Sequence, residues 1–225
     1  ECEGSALRAQ VVGARRTAEE LGRAFPGTVV RTSGRDEVLA SVAAEPALVV
    51  ATPGAEPVAD GGYGAVLMLD TWALLGRADL RAGEEALRRW FAAAALARSA
   101  TEGGRVILVA DRGLAALQAL LRWDPAGAAR RELADRTALG FPPTTRMAAA
   151  EGPPVEVAEL REALVLPAGG DVLGPVAAPT GERVLFRVPR THGAELAAAL
   201  KAAQAARGAR KAPALRVELD PRSLT

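Results

Sequence analysis

The chain has 225 residues, 49% of them hydrophobic and 24% charged, with a formal net charge of +1. That mixture is globular, so it excludes a disordered or fibrous chain and, taken whole, one that seeks a polyanion. The length suits one large domain or two smaller ones.

The first segment to read is "AQVVGA", an expected strand, followed by a helix opened by Thr17 with Glu20 three residues on, a capping-box spacing. "TVVRT" at 28–32 predicts a second strand and Asp36 the start of a helix. "ALVVAT" at 47–52 and "GAVLMLD" at 64–70 predict further strands, a long helix follows from Asp79, and "RVILVAD" at 105–111 predicts another strand. Continuous apolar strands separated by helices imply a parallel sheet covered on both faces. Within the long helix, "RRWFAAAALARSA" at 88–100 is too short to cross a membrane. Its apolar run, Trp90 to Ala97, is far below the roughly 20 residues that hydrocarbon requires. Leu80, Leu87, Trp90, Phe91 and Ala94 recur at helical spacing, and Glu84–Arg88 and Glu85–Arg89 are i,i+4 pairs.

Two more helices, near 113–122 and 125–138, end at "LGFPP", where Gly140 and the Pro142–Pro143 pair stop helical structure. Beyond this break the pattern becomes strand 145–150, helix 155–164, strands 171–177 and 183–189, helix 192–207 and strand 214–220. That is the β-α-β-β-α-β, ferredoxin-like order, with Thr191 capping the last helix and Gly208 ending it. The expected architecture is therefore α/β: a parallel-sheet lobe over 1–140, then a small α+β domain over 141–225.

A nucleotide-binding lobe should carry a phosphate cradle. No G-x-x-x-x-G-K-[ST] occurs, and "DGGYGAV" at 60–66 lacks the G-x-G-x-x-G spacing, so the chain itself implies no nucleotide cofactor. One histidine, His192, and one cysteine, Cys2, make no metal set, and Asp70 and Asp111 at strand ends have no partner base or nucleophile. A single cysteine excludes a disulfide framework. With no signal-peptide pattern ahead of the first helix, a reducing cytoplasm is the expected location. A first residue of Glu rather than Met points to a piece of a longer protein.

Positive charge is unevenly placed. Residues 181–225 hold nine Arg or Lys against the four acids Glu182, Glu195, Glu218 and Asp220. Clustered cations are an electrostatic footprint of nucleic acid. The candidate DNA-binding residues are Arg183, Arg187, Arg190, Lys201, Arg207, Arg210 and Lys211, joined by Arg15 and Arg16 at the expected N-terminus of the first helix, where free N–H groups favour a phosphate.

Five stretches then combine: "LRAQVVGARRTAEELGRAFPG" at 7–27, "RADLRAGEEALRRW" at 77–90, "WDPAGAARRELADRTALGFPP" at 123–143, "VLGPVAAP" at 172–179 and "LRVELDP" at 215–221. In this order the chain resembles the C-terminal half of the primosomal protein N′ (PriA) family of replication-restart helicases. The resemblance implies a RecA-like second helicase lobe, preceded by a zinc-binding insertion, and a C-terminal domain that contacts branched DNA. Cys2 falls where the family's last zinc cysteine lies, but "ECEGS" lacks the paired spacing, and one thiolate cannot hold the ion. In active members the helix matching 81–99 ends in a glutamine and an arginine pair that reach the ATP γ-phosphate. Here Ala92, Leu96 and Ser99 fill those places, and Arg98, one residue out of register, would point about 100° away on a helix. The loop "ATPGAEPVADGGYGAV" at 51–66 carries Glu56 and Asp60 but no cation.

These departures imply a degenerate member, with actinobacterial-looking relatives. It would bind branched or stalled forks in replication restart and assemble with primosome and replisome proteins, with no membrane role. Two alternatives stay open: a piece of an active ATP-dependent helicase whose nucleotide loop precedes Glu1, and a non-catalytic protein-interaction scaffold.

Overall fold

A computed structural model describes residues 13–77 and 79–224. Of the expected strand at 9–14, residues 9–12 lie outside the described residues, as does Cys2, while Gly13 and Ala14 open a helix instead. The chain divides into two compact units, the first comprising 13–77 with Arg81–Asp124 and the second 79–80 with 125–224.

The first unit begins with α1 (Ala14–Ala24), capped by Gly13, so the helix starts three residues before Thr17. Thr17 does not cap: its hydroxyl turns back onto the Gly13 carbonyl at 3.5 Å, and Glu20 instead accepts from Arg16. Strands β1 (Val29–Ser33), β2 (Ser41–Val42), β3 (Ala47–Ala51), β4 (Val58–Ala59) and β5 (Ala65–Met68) follow. The helix expected from Asp36 is absent. Buried Ser33 holds that segment extended, its hydroxyl accepting from Leu39 N and donating to Ala55 O. Next come α2 (Thr71–Leu75), α3 (Ala82–Ala94), β6 (Arg105–Leu108) and α4 (Ala115–Leu121).

Pairing is parallel, as the apolar runs imply, but among the described residues it forms three two-stranded ladders, β1–β3, β2–β4 and β5–β6. The expectation of two covered faces fails on β5–β6: the register partners Leu67 and Ile107 are 57% and 48% exposed. The alanines of α3 have a packing role. Ala86 and Ala94 line up with Trp90 against Leu74 and Leu120, small side chains letting the helix approach its neighbours.

In the second unit, α5 (Pro125–Leu139) precedes β7 (Thr145–Gly152), α6 (Pro154–Ala163), β8 (Asp171–Ala178), β9 (Gly181–Pro189), α7 (Gly193–Ala209) and β10 (Arg216–Leu219). The predicted β-α-β-β-α-β order is observed. Its antiparallel sheet runs β10-β7-β9-β8, a split arrangement in which β9 lies between β7 and β8. Alternation along β7 and β9 sends Ala148, Ala150, Val184, Phe186 and Val188 to one face, where Val157 and Leu160 of α6 and Leu196 and Leu200 of α7 cover them. Ala148 pairs with Phe186 and Ala150 with Val184, so small residues make room for large ones. Burying each large apolar side chain contributes about 1.5–3 kcal/mol.

The ends of α7 differ from expectation. Thr191 sits in a 3-10 turn before the N-cap His192, and the helix passes through Gly208 to Ala209. The residue that leaves the helix is Lys211, at φ +54°.

Candidate nucleic-acid interface

The second unit sorts its cations by the ends of its sheet. Thr145 is opposite Pro189 and Asp171 opposite Arg187 at one end; Gly152 is opposite Glu182 and Arg216 opposite Glu151 at the other. At about 3.3 Å per residue, the nine-residue β9 separates those ends by about 25 Å. Arg187 and Arg190 therefore lie at one end and Arg210, Lys211 and Arg216 at the other, so the C-terminal cations do not form the single patch that their clustering in sequence implies.

Several of them already have partners inside the protein. Arg183, largely covered, pairs with buried Glu151 at 3.2 Å and donates to the Ser223 carbonyl at 2.6 Å. Arg207 is buried, pairs with Glu156 and Glu159 and donates to the Pro213 carbonyl. Arg187 donates to Asp171 at 2.7 Å and to the carbonyls of Leu139 and Gly140, and Arg190 reaches Pro143 O, so both fasten the connection from α5 into β7. Glu151 is held below the usual carboxylate range, first by the hydrogen bond from the Thr180 hydroxyl and then by Arg183. These three carboxylate-bound guanidinium groups, on Arg183, Arg187 and Arg207, stabilise the fold where sequence clustering pointed to phosphate. Each carboxylate partner lies at least 16 residues away along the chain.

Lys201, on the outer side of α7, and Arg210 and Lys211, in the turn from α7 to β10, are exposed and carry no ion pair among the described residues. The turn is fixed from beneath by Arg207 on Pro213 O and by Gln204 on Leu215 O. Lys211 N donates to Gly208 O and Ala212 N to Arg207 O, a Schellman closure that places Lys211 in the left-handed region, where glycine is usual. A lysine there costs about 1 kcal/mol of backbone strain, and its charge recovers about 0.3–1 kcal/mol from the helix C-terminal dipole. Arg216, whose side chain is 73% exposed, begins β10 in the same turn and meets Glu218 at only 3.5 Å. Sequence reading missed it as a site residue; its closeness in sequence to Lys211 was the signal. Arg15 and Arg16 lie in the first turn of α1 in the other unit, exposed and paired with Glu19 and Glu20.

Arg98 departs furthest from its expectation. Helix α3 stops at Ala94, so the 100° offset does not apply. Arg98 lies beyond the helix, its backbone N–H on Tyr63 O and its Nε on the carbonyls of Gly61 and Gly62 at 2.9 and 3.1 Å. Arg89 likewise donates to Pro53 O, and Glu56 accepts from Gly54 N. The loop 53–62 is thus tied to α3 and its exit by two arginines. Of the other positions, Ala92 stays in α3 and Leu96 and Ser99 follow it; Ser99 caps the turn Ala100–Glu102. Glu85 accepts from Arg88 and Arg89 and is lowered to about 2, the hydrogen bond from Arg88 being the largest cause.

No group of three or more His, Cys, Asp and Glu that could hold a metal ion occurs among the described residues. The implied zinc therefore finds no donor set in them. No helix there is long and apolar enough to cross a membrane.

Residues 137–222 match the family model described as the primosomal protein N C-terminal domain. The "probable replication restart protein PriA" of Mycobacterium leprae (strain TN) is 52% identical over 234 residues, covering 98% of this chain and 36% of the relative. That of Mycobacterium tuberculosis (strain ATCC 25618 / H37Rv) is 52% identical over 241 residues, covering 98% and 37%. The chain belongs to the PriA family. It spans little more than a third of the length of these PriA relatives. The PriA C-terminal match begins inside α5 and takes in the whole four-stranded sheet, with both ends of its cation distribution.

Proposed function

We propose that this chain is the fork-binding and scaffolding part of a replication-restart protein. It holds branched DNA through phosphate contacts from Arg210, Lys211 and Arg216, with Lys201 extending the surface along α7. The observation that carries this reading is the α7–β10 turn, which presents exposed cations and keeps one of them in a strained conformation. The names of the mycobacterial relatives support replication restart; primosome and replisome proteins as partners and the cytoplasm as location belong to the same proposal. In this reading a ferredoxin-like DNA-binding domain over 141–225 follows a degenerate RecA-like lobe over 1–140, and the family match over 137–222 and the parallel pairs that alternate with helices support that division. That lobe has no helicase activity of its own in this reading, since Arg89 and Arg98 bind backbone carbonyls and so are not free for a nucleotide phosphate.

Phosphate contacts release counterions, so affinity falls with salt by about 0.9 in log K per log salt for each contact. Forked DNA titrated at two salt concentrations tests the reading. Combining Arg210→Ala, Lys211→Gly and Arg216→Ala should flatten the slope by roughly 2.7, while Arg183 and Arg207 contribute none of it. An unchanged slope refutes the assignment.

A further inference from the structure

Among the described residues, three α-helices close with the same pair of backbone bonds. At the end of α5 the left-handed residue is Gly140, and at the end of α7 it is Lys211. At the end of α4 it is Trp123, at φ +52°, its N–H on Leu120 O and that of Asp124 on Ala119 O, both 2.9 Å. A position that glycine fills without strain thus carries the largest side chain in the code. Packing accounts for little of this. The indole makes one edge-to-face contact with Phe91, ring centroids 5.0 Å apart, and remains 58% exposed. Arg122, beside it in sequence, is exposed, and among the described residues its guanidinium bonds only to the Gln118 carbonyl within its own helix. An aromatic surface held in solvent, with a cation adjacent to it in sequence, offers the two groups that single-stranded nucleic acid uses, a ring for a base to stack on and a guanidinium for a phosphate.

We propose that Trp123, with Arg122, is a stacking platform for an unpaired base of single-stranded DNA. The site lies in the first unit, apart from the α7–β10 turn, and deepens the DNA-binding reading by adding a single-strand contact to a phosphate contact. It rests on that reading, and the two fail differently: a phosphate contact treats duplex and single strand alike, whereas a stacked base requires a single strand.

The test uses the 225-residue chain carrying Trp72→Phe, which removes the other half-exposed indole and leaves Trp90 buried as an internal reference. In that background Trp123→Gly and Trp123→Phe are compared for melting temperature and for binding to oligothymidine and to a blunt duplex. Glycine relieves the left-handed strain, so the fold should melt within a few degrees of the parent. Oligothymidine binding should weaken about five- to 150-fold, the range of one stacked base, with duplex binding unchanged. Phenylalanine should keep most of the affinity, and oligothymidine should quench the Trp123 emission of the parent. The proposal is overturned if the parent fails to bind oligothymidine, if Trp123→Gly binds it as the parent does, or if duplex binding falls by the same factor. A loss of binding that accompanies a large drop in melting temperature in both variants also overturns it, since the ring would then be structural.

Discussion

Arg183→Met tests whether this arginine serves the fold of the second unit or a DNA phosphate. Read from the sequence, Arg183 belongs to a basic cluster, and its loss should weaken DNA binding while leaving the fold intact. In the structure the side chain is 11% exposed and its partner Glu151 9%, with Thr180 donating to the same carboxylate at 2.7 Å. Removing the guanidinium strands a buried carboxylate on a single hydroxyl, at a cost of about 3–5 kcal/mol. That is a large part of the 5–15 kcal/mol that a domain of this size possesses. For a unit of about 100 residues it corresponds to a fall in melting temperature of more than about 10 °C. The double variant Glu151→Gln/Arg183→Met removes both charges while the new amide still accepts from Thr180, and it should recover most of the loss. Circular-dichroism melting of the chain and the two variants measures this, and fork binding by the stable double variant should keep the parental salt slope. If the single variant melts like the parent, or the double variant loses about 0.9 of salt slope, the assignment of Arg183 to the fold is wrong.

Lys211→Gly should leave the melting temperature almost unchanged, because relief of left-handed strain offsets the lost dipole interaction, while lowering the salt slope of fork binding by about 0.9. Arg207→Leu should destabilise the second unit by about 3–5 kcal/mol in a melting experiment, because it leaves Glu156 without its buried partner. Arg98→Ala should speed amide hydrogen exchange across residues 61–64 without lowering global stability, since it frees the carbonyls of Gly61 and Gly62 from their clasp. Glu151 and Glu85 both titrate below the ordinary carboxylate value of 4.5 in the folded chain. Their stabilisation is complete above that pH and is lost as pH falls through the folded values, toward about 2 for Glu85. Acid melting should therefore show a plateau from neutral pH down to about 5 and a decline below it.

Where the sequence read well, the signal was short-ranged. The alternation along β9, and the glycine that ends α5 at φ +66°, depend on residues a few positions apart, and the second unit formed in the expected order. Asp36 misled because its helix-start chemistry was local, whereas the Ser33 bonds that keep the segment extended reach to Ala55. Arg98 misled because a helix extrapolated to residue 99 ends five residues sooner, where Tyr63 draws the chain into backbone pairing. Trp123 passed unnoticed: "LLRWDP" carries no glycine to mark the left-handed exit, and only the backbone angle exposes the strain.

The element order of the second unit, the family and the C-terminal excess of positive charge were thus determined by the sequence alone, because each is a property of neighbouring residues or of ordered motifs. Which cations remain free to meet a phosphate was decided by the tertiary structure. A guanidinium is withdrawn from solvent by acceptors that folding brings to it, and for Arg183 those acceptors lie 32 and 40 residues away. Composition cannot record that pairing, since the same arginine in the same local sequence would stand in water if Glu151 and Ser223 were placed elsewhere.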